Sequence, residues 1–150
     1  MTLTAAAILV AAVVSLLGTQ APASAAPTDI VGLVSTPTGN GYVMVSRSGQ
    51  IWAFGDAQDY GSPGGPLDVV SLAMTNTGNG YWIFGSAGEV FSYGDAGFYG
   101  AAAGIPLNQP IVAGVTVPDG LGYWLVAADG GVFNYGSADF FGSAGALALN

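Results

Sequence analysis

Three segments of the chain are copies of one another: Gly39–Gly61, Gly78–Gly100 and Gly120–Gly142. The middle copy reads Gly-Asn-Gly-Tyr-Trp-Ile-Phe-Gly-Ser-Ala-Gly-Glu-Val-Phe-Ser-Tyr-Gly-Asp-Ala-Gly-Phe-Tyr-Gly. Tyr42, Tyr81 and Tyr123 are equivalent, spaced 39 and then 42 residues apart, and Gly55, Gly94 and Gly136 keep the same spacing. The three extra residues of the longer spacing lie between Gly100 and Val112. A fixed period of about 40 residues constrains the fold more than any composition does, because each unit is too small to bury its apolar surface alone and must stack on its neighbours.

Each copy carries the same strand and turn signals. An apolar, β-branched stretch comes first (Ile30–Val34, Val69–Ala73, Ile111–Val115), followed by a turn rich in Thr, Asn, Gly and Pro. A second strand begins at the Gly-Tyr pair. Tight turns at Ser48-Gly49, Ala87-Gly88 and Asp129-Gly130 then lead to Ile51–Phe54, Val90–Tyr93 and Val132–Tyr135. Asp-Gly is the strongest of these hairpin signals and suggests a two-residue type I′ turn. A short fourth strand is expected near Asp59-Tyr60, Phe98-Tyr99 and Phe140-Phe141. The second strands, Tyr81-Trp82-Ile83-Phe84 and Tyr123-Trp124-Leu125-Val126, are apolar at every position. Since alternate side chains of a strand point to opposite faces, both faces of such a strand are buried. The expected fold is therefore all-β: three four-stranded blade-like repeats in a partial β-propeller-like array. A β-trefoil is the alternative, although its barrel strands would alternate more clearly.

The residues Gly122–Phe133 (Gly-Tyr-Trp-Leu-Val-Ala-Ala-Asp-Gly-Gly-Val-Phe), with Phe-Gly-Asp-Ala at 54–57 and Phe-Tyr-Gly at 98–100, resemble a tandem repeat of roughly 40 residues. That repeat occurs in secreted and surface proteins of actinobacteria, often beside cell-wall hydrolase or peptidase domains. The resemblance covers essentially all of Thr28–Asn150. It implies a propeller-like module with no catalytic residue to carry over, usually in longer arrays. The first copy departs from it, with Val43-Met44 where the second has Trp82-Ile83.

Ala5–Leu17 is a run of about 13 apolar residues broken by one Ser, the length of a signal-peptide core rather than the ~20 of a membrane span. Ala23-Ser24-Ala25 fits a cleavage site. Residues 1–25 are read as a signal peptide, 26–29 as a linker, and 30–68, 69–110 and 111–150 as the three repeats. Secretion or attachment to the cell wall follows, with no integral span in the mature chain.

The net charge is −8, with Arg47 the sole cation and no Lys, His or Cys. Nucleic acid is excluded as a partner, because phosphate neutralisation needs a basic patch. Without His, Cys or Lys no ordinary nucleophile–base pair or soft-metal site can be assembled, so neither catalysis nor a cofactor is expected. Charged residues are 7% of the chain, against roughly 25% in typical soluble domains, which favours association with something. The function expected is a non-catalytic binding module whose ligand is a cell-wall glycan or a surface protein. The alternatives are a purely structural surface repeat and an accessory fragment of a longer cell-wall hydrolase. Three repeats are fewer than the four or so that close a propeller, so either self-association, as a homodimer closing six blades, or a missing remainder of a longer array is expected.

Trp52, Trp82 and Trp124 are the candidate ligand contacts, as a platform for sugar rings, although recurrence at fixed repeat positions in apolar runs favours the core. Trp52 stands apart, because its equivalents are Phe91 and Phe133 and the indole adds a donor. Asp56 and Asp95, with Ser137 in the third copy, are expected to close turns on their own backbone two residues on, rather than to bind calcium. Asp59 and Asp139 raise the idea of a glycosidase carboxylate pair, which nothing else in the sequence supports. Arg47 is expected at the surface.

Overall fold

The computed structural model describes residues 29–145; the segment read as a signal peptide lies outside them. Nine strands run in chain order: β1 (Ile30–Ser35), β2 (Gly41–Ser46), β3 (Ile51–Gly55), β4 (Val69–Met74), β5 (Gly80–Gly85), β6 (Val90–Gly94), β7 (Ile111–Thr116), β8 (Gly122–Ala127) and β9 (Val132–Gly136). They form three separate antiparallel sheets, β1-β2-β3, β4-β5-β6 and β7-β8-β9, one per repeat. No helix occurs among the described residues, and the sheets share no strand that would close them into a barrel.

Register repeats along with sequence. Met44 faces Leu33 and Trp52, Ile83 faces Leu72 and Phe91, and Leu125 faces Gly114 and Phe133. Each first strand carries a bulge near its start, between Ile30 and Gly32, Val69 and Ser71, and Ile111 and Ala113. The β2–β3 hairpin has a loop of three residues, not the two of a type I′ turn. Gly49 N–H donates to the Ser46 carbonyl, and Ser46 N–H donates to the Gln50 carbonyl. Gly49, at φ 90°, occupies the left-handed position that closes such a loop.

The sheets stack face to face in chain order. Val43 and Val45 of β2 meet Tyr81 and Ile83 of β5 in one buried cluster. On the other face of β5, Trp82 and Phe84 meet Tyr123 and Leu125 of β8 in a second cluster. The central strand is therefore buried at all six positions, as its unbroken apolar run requires. Interlocking sizes fix the spacing between sheets. Leu72 packs into the first cluster beside the small Val45. At the equivalent place in the next interface the large Phe84 lies over Gly114, where an added Cβ would come within 2.4 Å of the ring.

The fourth strands do not form. Residues 57–68 and 96–110 have no strand pairing, and neither do the described residues after Ser137. In the first two of these segments one N–H and one carbonyl are taken by a side chain instead. Tyr60 N–H donates to the Tyr81 hydroxyl at 3.0 Å, and that hydroxyl donates to the Gly61 carbonyl at 2.6 Å. Tyr123 repeats the arrangement on Tyr99 N–H (3.1 Å) and the Gly100 carbonyl (2.6 Å). A phenol from the following sheet thus claims the donor and acceptor that a ladder would have used. These segments become straps that clamp one repeat to the next.

Candidate functional site

At the outer end of the third sheet, Val117, Pro118, Asp119, Trp124, Ser137, Asp139 and Phe141 line a shallow cleft of about 280 Å³. Sheet geometry places Trp124 there. Its neighbours Tyr123 and Leu125 point inward to β5, so the alternate residue faces out. The indole N–H donates to the Asp139 carbonyl at 2.7 Å, which fixes the ring plane. Phe141 lies with its centroid 6.5 Å from that of Trp124 and is 86% exposed. The cleft thus offers two aromatic surfaces beside two carboxylates.

The three tryptophans occupy different surroundings. Trp82 is 1% exposed, lies between the second and third sheets, and donates to the Gly97 carbonyl at 2.6 Å. Trp52 is half-buried on β3 and faces outward at the opposite end of the stack, opposite Met44 in register. Trp124 sits in the end cleft. Asp59 and Asp139 are not brought to one site. Asp59 accepts from Gly61 N–H at 2.8 Å and lies 3.2 Å from the Tyr81 hydroxyl between the first two sheets, whereas Asp139 belongs to the end cleft.

Asp56 and Asp95 do not close turns with their side chains. Asp56 accepts from the Thr36 hydroxyl at 2.8 Å and also from Thr38, so each carboxylate ties the loop after its third strand to the loop before its second. These bonds, Thr38 first, hold the Asp56 carboxyl below its ordinary range. Asp95 does the same with Thr75 (2.9 Å) and Thr77 (2.5 Å). In the third repeat the roles are exchanged, with Ser137 donating to Asp119 at 2.9 Å. The signal was present in the sequence as a paired change, Thr77/Asp95 against Asp119/Ser137. Spatial pairing, not local turn chemistry, explains it. Among the described residues no group of His, Cys, Asp or Glu is placed to hold a metal ion. Arg47 is exposed and pairs with Asp68 at 2.7 Å, joining the first hairpin to the start of the second repeat. That pair holds the Asp68 carboxyl low.

Burial raises the phenols of Tyr81, Tyr93, Tyr123 and Tyr135 above their ordinary value of 10.0. The unfolded chain releases these protons more readily than the folded one. Their contribution to stability is therefore complete below about pH 10 and is lost as pH rises further. Because the chain has no Lys or Cys, few other groups titrate in that window. Thermal unfolding followed by circular dichroism should show a melting temperature that holds steady from neutral pH and drops steeply above about pH 10. An unchanged melting temperature at about pH 11.5 would show that the phenols are not buried as described.

No protein-family model matches the chain, and a search of curated proteins gave no match.

Proposed function

We propose that this chain is a non-catalytic interaction module of the cell envelope, a propeller-like stack that makes its contacts through the two open ends. The observation that carries this reading is the contrast between the middle and the outer sheets. Equivalent residues that are fully covered between sheets are open at the ends. Tyr42 is 40% exposed where Tyr81 and Tyr123 are 0%, and Phe141 is 86% exposed where Tyr60 and Tyr99 are half-buried. Leu33 and Val115 add 61% and 53% exposed aliphatic side chains to the two ends. Contiguous apolar surface of this kind is a mark of interaction sites in folded proteins. Export to the envelope is supported by the apolar N-terminal run and by the resemblance to repeats of secreted actinobacterial proteins.

A second reading, a cell-wall glycan as ligand, is favoured by the end cleft. Trp124 and Phe141 present flat apolar surfaces for the C–H faces of a sugar, and the Asp119 and Asp139 carboxylates are placed to accept its hydroxyl groups.

Cosedimentation of the purified chain with actinobacterial cell walls tests both readings. The chain should pellet with intact walls, and Trp124→Ala together with Leu33→Glu should reduce the bound fraction at least several-fold. Loss of binding after the walls are stripped of protein assigns a protein ligand. Retention on stripped walls that depends on Trp124 assigns the glycan. No binding to either preparation would overturn the proposal.

A further inference from the structure

The two ends of the stack are complementary in a way that follows from how its internal interfaces are built. Within the chain, each interface joins one kind of face to another. The forward face of the first sheet carries Val34, Val43 and Val45, and that of the second carries Ala73, Trp82 and Phe84. These meet rearward faces carrying Leu72, Tyr81 and Ile83, and then Gly114, Tyr123 and Leu125. Two faces are left over, one of each kind. The third sheet keeps an open forward face (Val115, Trp124, Val126), and the first keeps an open rearward face (Leu33, Tyr42, Met44).

The sizes match as well as the kinds. Where the forward residue is Phe84 the rearward residue is Gly114, and where it is Val45 the rearward residue is Leu72. The leftover pair in the same positions is Val126 and Leu33, which repeats the Val45–Leu72 combination. The strap is also in place. Phe141 and Gly142 correspond to Tyr60-Gly61 and Tyr99-Gly100, which supply the N–H and carbonyl bound by Tyr81 and Tyr123. Their counterpart Tyr42 has no preceding strap within the described repeats to bind. At the hairpins, Val69 N–H donates to the Arg47 carbonyl and Ile111 N–H to the Ser86 carbonyl. Ala128 holds the equivalent position in the third repeat.

We propose that the forward face of the third sheet receives the rearward face of the first sheet of a second copy of this chain. Tyr42 of the second copy enters the cleft beside Trp124, as Tyr123 sits 6.2 Å from Trp82 between centroids. Its hydroxyl binds the backbone of Phe141 and Gly142, and Leu33 of the second copy packs over Val126. The pairing is head to tail, and with two copies it closes when both ends are used, giving six sheets in the range that forms rings. The inference rests on reading the open ends as contact surfaces; a second copy and a wall ligand compete for the same faces, so wall binding draws on the open monomer.

Sedimentation velocity of the purified chain at micromolar concentration tests it, with two variants at exposed positions, Leu33→Glu on the rearward face and Val115→Glu on the forward face. The native chain should sediment at twice the monomer mass. Each variant alone should be monomeric, because each has lost one of the two faces. Mixed in equal amounts they should form a heterodimer, since the sound forward face of L33E meets the sound rearward face of V115E. A native monomer overturns the proposal, including the case in which residues outside 29–145 cover the ends. Dimerisation of either variant alone also overturns it, because like faces would then be pairing. A native monomer that still binds cell walls through Trp124 would reject the second copy while leaving the interaction module standing.

Discussion

Trp82→Ala should lower the unfolding free energy by about 3–5 kcal/mol, the cost typical of truncating a fully enclosed large aromatic residue. The indole is 1% exposed, packs edge-on against Tyr123, and donates to the Gly97 carbonyl from beneath the second strap. Removing it opens a cavity between two sheets and leaves the Gly97 carbonyl with only the longer bond from the Ser92 hydroxyl, at 3.3 Å. Trp124→Ala is the control at the equivalent position of the outer sheet. It should cost only about 1–2 kcal/mol, because the outer face has lost the neighbours a further sheet would supply. Denaturant unfolding below the concentration of self-association gives both values. Equal losses would mean that the second and third sheets are not differently covered.

The second large effect is expected at Gly114. Its backbone lies outside the left-handed region, so a side chain there is not strained by φ, but it runs first into the Phe84 ring. Gly114→Leu should destabilise the chain by about 3 kcal/mol or more through overpacking. Phe84→Val alone should also cost about 2–4 kcal/mol by opening a cavity. Together, however, the two changes recreate the Val45–Leu72 combination of the first interface. The double variant should therefore be more stable than either single one, with a coupling on the order of 2–3 kcal/mol. Additive losses would show that the two positions do not interlock.

The repeat unit and its first three strands were legible because their signals are local. β-branched runs and turn glycines at a fixed spacing mark where strands begin and end, and the non-alternating Tyr81–Phe84 run announced a strand covered on both faces. The equally apolar Tyr123–Val126 run promised the same, but its Trp124 and Val126 are only partly buried at the open end of the stack. The fourth strand was misread because Phe98-Tyr99 has the composition of a strand. Its Tyr99 N–H and the Gly100 carbonyl are held instead by the hydroxyl of Tyr123, more than twenty residues further on, and no local pattern announces that contact. The role of Asp56 and Asp95 was hidden for the same reason: Thr36 and Thr75 lie twenty residues upstream. The third repeat did hold the clue, since Asp119 and Ser137 exchange the acid and the hydroxyl between the same two loops. The candidate site was legible only as residue type. Trp82 and Trp124 hold the same repeat position, and Trp52 stands where the other copies have Phe91 and Phe133; their separation into one enclosed and two end positions comes from the order of the stack.

That order is the central claim, and acrylamide quenching of single-tryptophan variants measures it most directly. Three chains, each keeping one of Trp52, Trp82 and Trp124 with the other two replaced by Phe, would be compared at concentrations low enough to keep them monomeric. The stack requires Trp82 to be nearly inaccessible to the quencher while Trp52 and Trp124 are quenched several-fold faster. Comparable quenching of all three, or a shielded Trp124 beside an open Trp82, would contradict an arrangement in which the second sheet is enclosed and the other two form the ends.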